Sequence, residues 1–317
     1  MFMRKNQCGQ AARWLAIGAC ALTLPVAAGR ALASLAAPAA VATGYLSPTN
    51  PFKTSAMRRF LATRAGNITA ALFDVPSRST FLYRPGDREQ TASIVKVDIL
   101  ATLLAQAQAR HEALDADDYA IATGMIEASD NDDATDLWDA EGGAPAVASL
   151  DARLRMTQTT PNDAWGLTET TPRDQLRLLS HVLLPHRLLR PRYSATALYL
   201  MEHVISFDYW GVTAGPSRGT TVAVKNGWLP VPGGWQINSI GMVRGHDRFY
   251  LIAVMTNGNP DEAYGIDTIE GISRIVWASL RDRRLPLPNR GSTGPSGGSG
   301  TSGATEASPR RGTRAYD

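Results

Sequence analysis

The chain of 317 residues is 44% apolar and 19% charged, enough to build one sizeable globular domain plus tails. Its formal charge is +3, but Arg4, Lys5, Arg13 and Arg30, with no acid among them, lie in the first 33 residues, so without that segment the charge is 3 − 4 = −1. Both cysteines, Cys8 and Cys20, fall there too, so disulfides, thiolate chemistry and nucleic-acid binding are not expected of the remainder.

Residues 1–33 read as a secretory signal peptide: a basic start, an apolar run from Trp14 to Ala28, and a small-x-small site at Ala31-Leu32-Ala33. An uncleaved anchor is the alternative, for which the apolar run is short. Residues 34–49 are a linker, and the mature protein is expected to be extracytoplasmic.

Phe52 to Arg64 reads as helix. The segments "ITAALFDV" (68–75) and "STFLYR" (79–84), separated by Pro-Ser-Arg, read as a β-hairpin. Helical patterns follow over Ser93–Ala109, Asp118–Ala128, Pro145–Arg155, Pro172–Leu184 and Ala195–Ile205, with Pro145 suited to a first helical position. Strands return at 220–226, 236–244 and 248–257, and a last helix spans about Asp261 to Leu280. Strands from both ends with helices between them predict an α+β domain over 50–285, an antiparallel sheet with flanking helices and an inserted helical lobe. The Gly/Ser/Pro-rich tail, 286–317, is expected to be disordered.

Arginines outnumber lysines 28 to 4, yet Lys96 stands between apolar neighbours in "SIVKVDIL". Arginine would supply charge alone; a partly desolvated lysine can also lose its proton and act as a base. Ser93, three residues earlier, shares its helical face, and a helix N-terminus favours negative charge developing on the serine oxygen. Downstream lie Ser129-Asp130-Asn131 and, at the end of a predicted strand, Lys225-Asn226-Gly227. Taken singly these read as a helix cap and a strand end entering a turn. The ordered set Ser-x-x-Lys, Ser-Asp-Asn, Lys-x-Gly is more specific.

On these motifs the chain resembles the penicillin-recognising serine enzymes, in their class A β-lactamase-like branch, over about residues 50 to 282. The resemblance implies that Ser93 is the acyl-accepting nucleophile and Lys96 its activating base. It implies that Ser129 relays a proton to the leaving amine, that Asn131 binds the substrate amide, and that Lys225 supplies positive charge beside Ser129 and the substrate carboxylate. The N–H groups of Ser93 and Trp228 would form the oxyanion hole, with Gly227 beside them.

The chain departs from that pattern in several places. Asn226 replaces the hydroxyl residue of the usual Lys-Thr-Gly, with an amide still able to donate to a carboxylate. Trp228 is bulky for its position, and 36 residues from Ser93 to Ser129 predict a trimmed lobe. The Ω-loop glutamate that activates the deacylating water is missing; Asp151, Asp163 and Glu169 are the available carboxylates, and Glu169 reads as helix-entry charge. Arg218 and Arg244 are the arginines considered for the substrate carboxylate.

The expected function is a secreted serine hydrolase of β-lactamase type, forming an acyl-enzyme at Ser93 with a β-lactam or related amide and deacylating weakly. The alternatives are a D,D-peptidase or penicillin-binding protein acting on peptidoglycan stem peptides, and a non-catalytic binding domain on the same fold. Partners are expected to be small molecules, the protein a monomer, and no cofactor or metal is expected, since no histidine pair has His-Glu-x-x-His spacing.

Overall fold

The computed structural model describes residues 49–185 and 187–280. The expected signal peptide, nearly all of the linker and the Gly/Ser-rich tail lie outside the described residues.

Five antiparallel strands form the central sheet, in the order β2-β1-β7-β6-β5. Strands β1 (Asn67–Asp74) and β2 (Ser79–Tyr83) are the expected hairpin, and β5 (Thr221–Val231), β6 (Gly234–Gly245) and β7 (Arg248–Asn259) form the C-terminal meander. The alternation of side chains along β7 shows how the sheet is covered. Leu251, Ala253 and Met255 join one apolar core and Tyr250, Ile252 and Val254 the other. A sheet buried on both faces reads in sequence as an unbroken apolar run, as "RFYLIAVMTN" does.

One face is covered by α1 (Ser55–Leu61) and α8 (Glu262–Ser279), through Met57, Ile269, Ile272 and Val276. The other carries the helical lobe: α2 (Lys96–Arg110), α3 (Ala116–Glu127), α4 (Asn131–Glu141), α5 (Gly143–Leu154), α6 (Pro172–Leu183) and α7 (Pro191–Glu202). The expected α+β architecture is the one observed.

The differences are local. The first expected helix is a 3-10 turn, Pro51–Lys53, followed by the short α1. Helix α5 begins at Gly143, with Gly142 at its N-cap, so Pro145 is its third residue and not its first. Helix α4 had no counterpart among the expected elements. Strand β5 runs on to Val231, which puts Lys225-Asn226-Gly227 mid-strand and not at a strand end. Eleven registered pairs with β6, Pro230 among them, override the weak strand propensity of that stretch. A two-stranded ribbon, β3 (Glu89–Gln90) with β4 (Glu169–Thr170), ties the segment before Ser93 to the segment before α6.

Candidate functional site

Ser93 lies in a 3-10 turn, Ala92–Val95, that runs directly into α2, with Lys96 the first α-helical residue. Ala92 takes φ of 45°, the left-handed region that residues with a Cβ rarely adopt. The neighbouring structure holds this strained entry in place. Thr91 N–H donates to Thr168 O at 2.8 Å, and the Asn238 amide on β6 donates to the carbonyls of Gln90 and Thr91 at 2.8 and 2.9 Å. Gln236 adds a bond to Gln90 O at 2.7 Å. Beneath them Glu89, 2% exposed, accepts from Asn67 at 2.6 Å and from Asn257; burial raises its pKa despite these donors.

Ser129 lies between α3 and α4 in the left-handed conformation, φ 55°. Asp130 is the N-cap of α4, its carboxylate accepting from the N–H groups of Asp132 and Asp133 at 2.8 and 3.0 Å. The Ser-Asp-Asn triplet therefore contains a helix cap at its centre, and that cap sets the position of the two flanking side chains. Lys225 reaches the same place from mid-β5.

Both lysines meet at Ser129. Lys225 Nζ lies 2.8 Å from Ser129 Oγ, and Lys96 Nζ lies 3.3 Å from it, 2.6 Å from Ser129 O and 2.8 Å from Asn131 Oδ1. Ser129 O and Asn131 Oδ1 can only accept. A neutral Lys96 satisfies both with its two N–H groups and keeps its lone pair for a hydroxyl. No hydrogen bond joins Lys96 to Ser93 among the described residues; Ser93 is a half-buried neighbour on the cleft floor.

Burial favours the neutral amines. It lowers Lys96 to about 8, against the charges of Asp130, Asp208 and Asp133. Lys225, 1% exposed, is lowered to about 7 by burial and then by the charge of Lys96, with Asp208 opposing. Two ammonium groups on one half-buried hydroxyl repel, so near neutral pH the site holds less than two full charges. Asp208, 2% exposed in the loop before β5, is the buried acid common to both lysines.

Gly227 is where β5 passes tightly against the Ser93 turn. A Cβ there would stand 2.7 Å from Ser93 N and 2.9 Å from Ile94 N and Thr91 O. The next residues, Trp228 and Leu229, form one wall of a cleft of about 320 Å³ whose floor holds Ser93 and Asn131. Trp165, Gly166 and Leu167 form the facing wall, with the Trp165 ring 5.1 Å from Lys96 Nζ. Trp165 is fixed by an indole N–H bond to Thr135 Oγ1 at 3.2 Å.

Ser93, Lys96, Ser129, Asn131, Lys225, Gly227 and Trp228 are thus brought to one cleft, whereas Asn226 points away from it. The Asn226 amide is buried and donates to the carbonyls of Asp208 and Trp210 at 2.7 and 3.2 Å. Both N–H groups are used, so the expected donation from Asn226 to a substrate carboxylate is not available in this geometry. Arg244 pairs across from Thr221, four residues before Lys225, and Arg218 is held at the same far end through a bond from His246 to its carbonyl. Neither arginine lines the cleft.

The carboxylates considered for the missing glutamate are elsewhere as well. Glu169 is in β4 and pairs with Arg88 at 3.4 Å at the surface, so it is not a helix-entry charge. Asp151 is buried in the lobe on α5, and Asp163 is exposed. No carboxylate is among the described residues lining the cleft.

Asn238, Gln236, Glu89, Asp208 and Trp165 are site-forming residues absent from the sequence reading. They act across sequence separations that no local pattern carries.

Similarity to known proteins follows this geometry. The model of the Beta-lactamase enzyme family matches residues 119–280. No curated protein matches the chain. Among solved structures, a PBP-A mutant described as an acyl-enzyme complex with penicillin-G is 20% identical, covering 71% of this chain and 94% of its own, with a TM-score of 0.62. An ancestral class A β-lactamase is 19% identical, with coverages of 71% and 98% and a TM-score of 0.63. A β-lactamase from Xanthomonas campestris is 19% identical, with coverages of 70% and 95% and a TM-score of 0.62. At these identities the structures speak to the fold alone, and the family match goes further: the chain belongs to the Beta-lactamase enzyme family.

Proposed function

We propose that this protein is an extracytoplasmic serine hydrolase that accepts an acyl group on Ser93 from β-lactams or related amides and releases it slowly. The observation that carries this reading is the convergence on the Ser129 hydroxyl of two buried lysines, lowered by burial to about 8 and about 7, next to the cleft that Ser93 lines. Ser93 Oγ attacks the carbonyl carbon and its proton passes to the Lys96 lone pair. The oxyanion is held by the N–H groups of Ser93 and Trp228. As the C–N bond breaks, the amine takes the Ser129 proton, and Ser129 recovers one from the two lysines it contacts.

Deacylation needs a second base to activate water, and the cleft walls offer an indole and a leucine where a carboxylate would serve. That favours a long-lived ester, and gives a second reading some weight: a D,D-peptidase acting on peptidoglycan stem peptides by the same acylation. The test is intact mass after incubation with benzylpenicillin, followed by peptide mapping. A +334 Da class of adduct (roughly the mass of the intact penicillin) confined to Ser93 and lost in Ser93→Ala is expected. A protein that stays unmodified after prolonged exposure to β-lactams and D-Ala-D-Ala peptides, with neither substrate consumed, would leave a non-catalytic binding domain as the better reading.

A further inference from the structure

The cleft beside Ser93 is apolar where a substrate's flanks would lie, and no lysine or arginine is among the described residues that line it. Trp165 and Leu167 face Trp228 and Leu229 across it. The apolar surface continues outward: Phe207, 72% exposed, meets Trp228 edge-on at 6.3 Å, and Trp210 lies 6.1 Å from the same ring. So exposed an aromatic side chain, contiguous with a cleft lip, is an uncommon use of surface unless apolar material binds there.

The polar side of recognition is thin by comparison. The Asn226 amide is turned inward, Arg218 and Arg244 are at the other end of β5 and β6, and Lys225 is buried and lowered toward neutrality. A substrate carboxylate entering this cleft finds no guanidinium among the described lining residues, only the two lysines, which burial lowers to about 8 and about 7 and which are already bonded to Ser129 and, for Lys96, Asn131. An aromatic or branched apolar group finds two indoles.

We propose that the site selects acyl donors by an aromatic or bulky apolar substituent packed between Trp165 and Trp228, and that a substrate carboxylate contributes little. This rests on the reading of Ser93 as the acyl acceptor, but the selection itself can be measured without chemistry.

Three probes separate the terms: benzylpenicillin, 6-aminopenicillanic acid, which lacks the phenylacetyl group, and benzylpenicillin methyl ester, which lacks the carboxylate. Second-order acylation rates are read by intact mass and divided by each probe's alkaline hydrolysis rate to remove intrinsic reactivity. Losing the phenylacetyl group is expected to cost about 10- to 100-fold, the range for a buried apolar group, and esterification less than about threefold. Trp165→Ala should narrow the phenylacetyl preference. Equilibrium binding of the same probes to Ser93→Ala, followed by tryptophan fluorescence, repeats the comparison without acylation. Equal affinity for benzylpenicillin and 6-aminopenicillanic acid, or a loss of 30-fold or more (roughly a well-made ionic contact) on esterification, overturns the proposal. A retained affinity ratio with no acylation of the parent would instead remove Ser93 as nucleophile and leave the apolar selection standing.

Discussion

Gly227 on β5 and Ser93 in the turn before α2 are packed backbone to backbone: a Cβ on Gly227 would lie 2.7 Å from Ser93 N. Gly227 is needed for space and not for an unusual φ: it lies within β5 with ordinary strand backbone, and it is the absence of a Cβ that lets the turn approach. Gly227→Ala must move either β5 or the turn, and overpacking of this kind costs about 1–3 kcal/mol. The turn is the part already under strain at Ala92. The expected result is a Tm lower by a few degrees and acylation slowed by about 10²-fold or more, because the Ser93 N–H leaves its place opposite the oxyanion. Parent-like acylation in a folded Gly227→Ala protein would show that the close approach is not required.

Lys96→Arg separates charge from basicity. Arginine keeps a cation near Ser129 but cannot take a proton from Ser93 at any working pH. General-base assistance is worth about 10²–10⁴-fold, and a loss of that order in acylation is expected, with secondary structure by circular dichroism intact. In the parent the rate should climb with pH and level off above about 8, where Lys96 becomes neutral. A parent rate independent of pH between 6 and 9 (roughly the span that brackets both lysines) would argue against the lysine as base.

Asp208 offers a test of how the two lysines are tuned. Its buried carboxylate raises both of them, and its carbonyl holds the Asn226 amide at 2.7 Å. Asp208→Asn keeps the shape and the carbonyl but removes the charge, so both lysines should lose protons at lower pH. The pH at which acylation reaches half its plateau should then fall by roughly half a unit or more. A midpoint that stays put or rises would show that Asp208 does not act through its charge.

How far the sequence could be read depends on the range of the interaction involved. Ser93 and Lys96 were legible because a lysine among apolar neighbours is conspicuous within eight residues of text. The β1–β2 hairpin was legible from its own alternation and turn. Helix α4 was not, because Asn131, Asp132, Asp133, Asp136 and Asp139 dilute its apolar face to Ala134, Leu137 and Trp138. Asn226 looked like a substrate donor because strand periodicity does not say that Asp208 and Trp210 pass behind it. The Asn238 amide, which holds the Ser93 turn from 145 residues further along the chain, has no local signature at all.

Buried acids in the lobe make stability depend on pH. Asp98 is fully buried and raised by burial and by Asp151; Asp151 is pushed up to about 7, and Glu141 to about 9, each chiefly by burial. A raised carboxyl pKa means the folded state holds a proton that the unfolded state gives up above about 4, so stability is fully present below that pH and is lost as pH rises toward the folded values. The lowered lysines have the opposite effect, but only above about 7, and His181, whose neutral form is favoured by burial, opposes it in the acid range. Between pH 4.5 and 7 (roughly the window free of the lysines) Tm should fall with pH, and Asp151→Asn should flatten that fall. An identical Tm profile in parent and Asp151→Asn would mean the pair titrates normally.

The walls of the cleft set the last expectation. The proposed acylation uses groups gathered at the cleft that Ser93 lines: Lys96, whose pKa burial lowers to about 8, the Ser129 hydroxyl that both lysines contact, and backbone donors. Hydrolysis of the ester needs a water held against the acyl carbonyl and a base to take its proton. Glu169 is paired with Arg88, Asp151 is enclosed in the lobe, and the wall facing Trp228 is Trp165-Gly166-Leu167. Deacylation should therefore lag acylation by the general-base factor of about 10²–10⁴. A burst equal to the enzyme concentration followed by slow turnover of a chromogenic cephalosporin is the expected trace, with the adduct persisting on Ser93 by mass. Introducing the missing carboxylate as Leu167→Glu should shorten the adduct lifetime more than it changes the burst rate. Rapid turnover by the parent with no burst would mean that Asp163, or Lys96 acting a second time, activates the water, and the slow-release reading would fall.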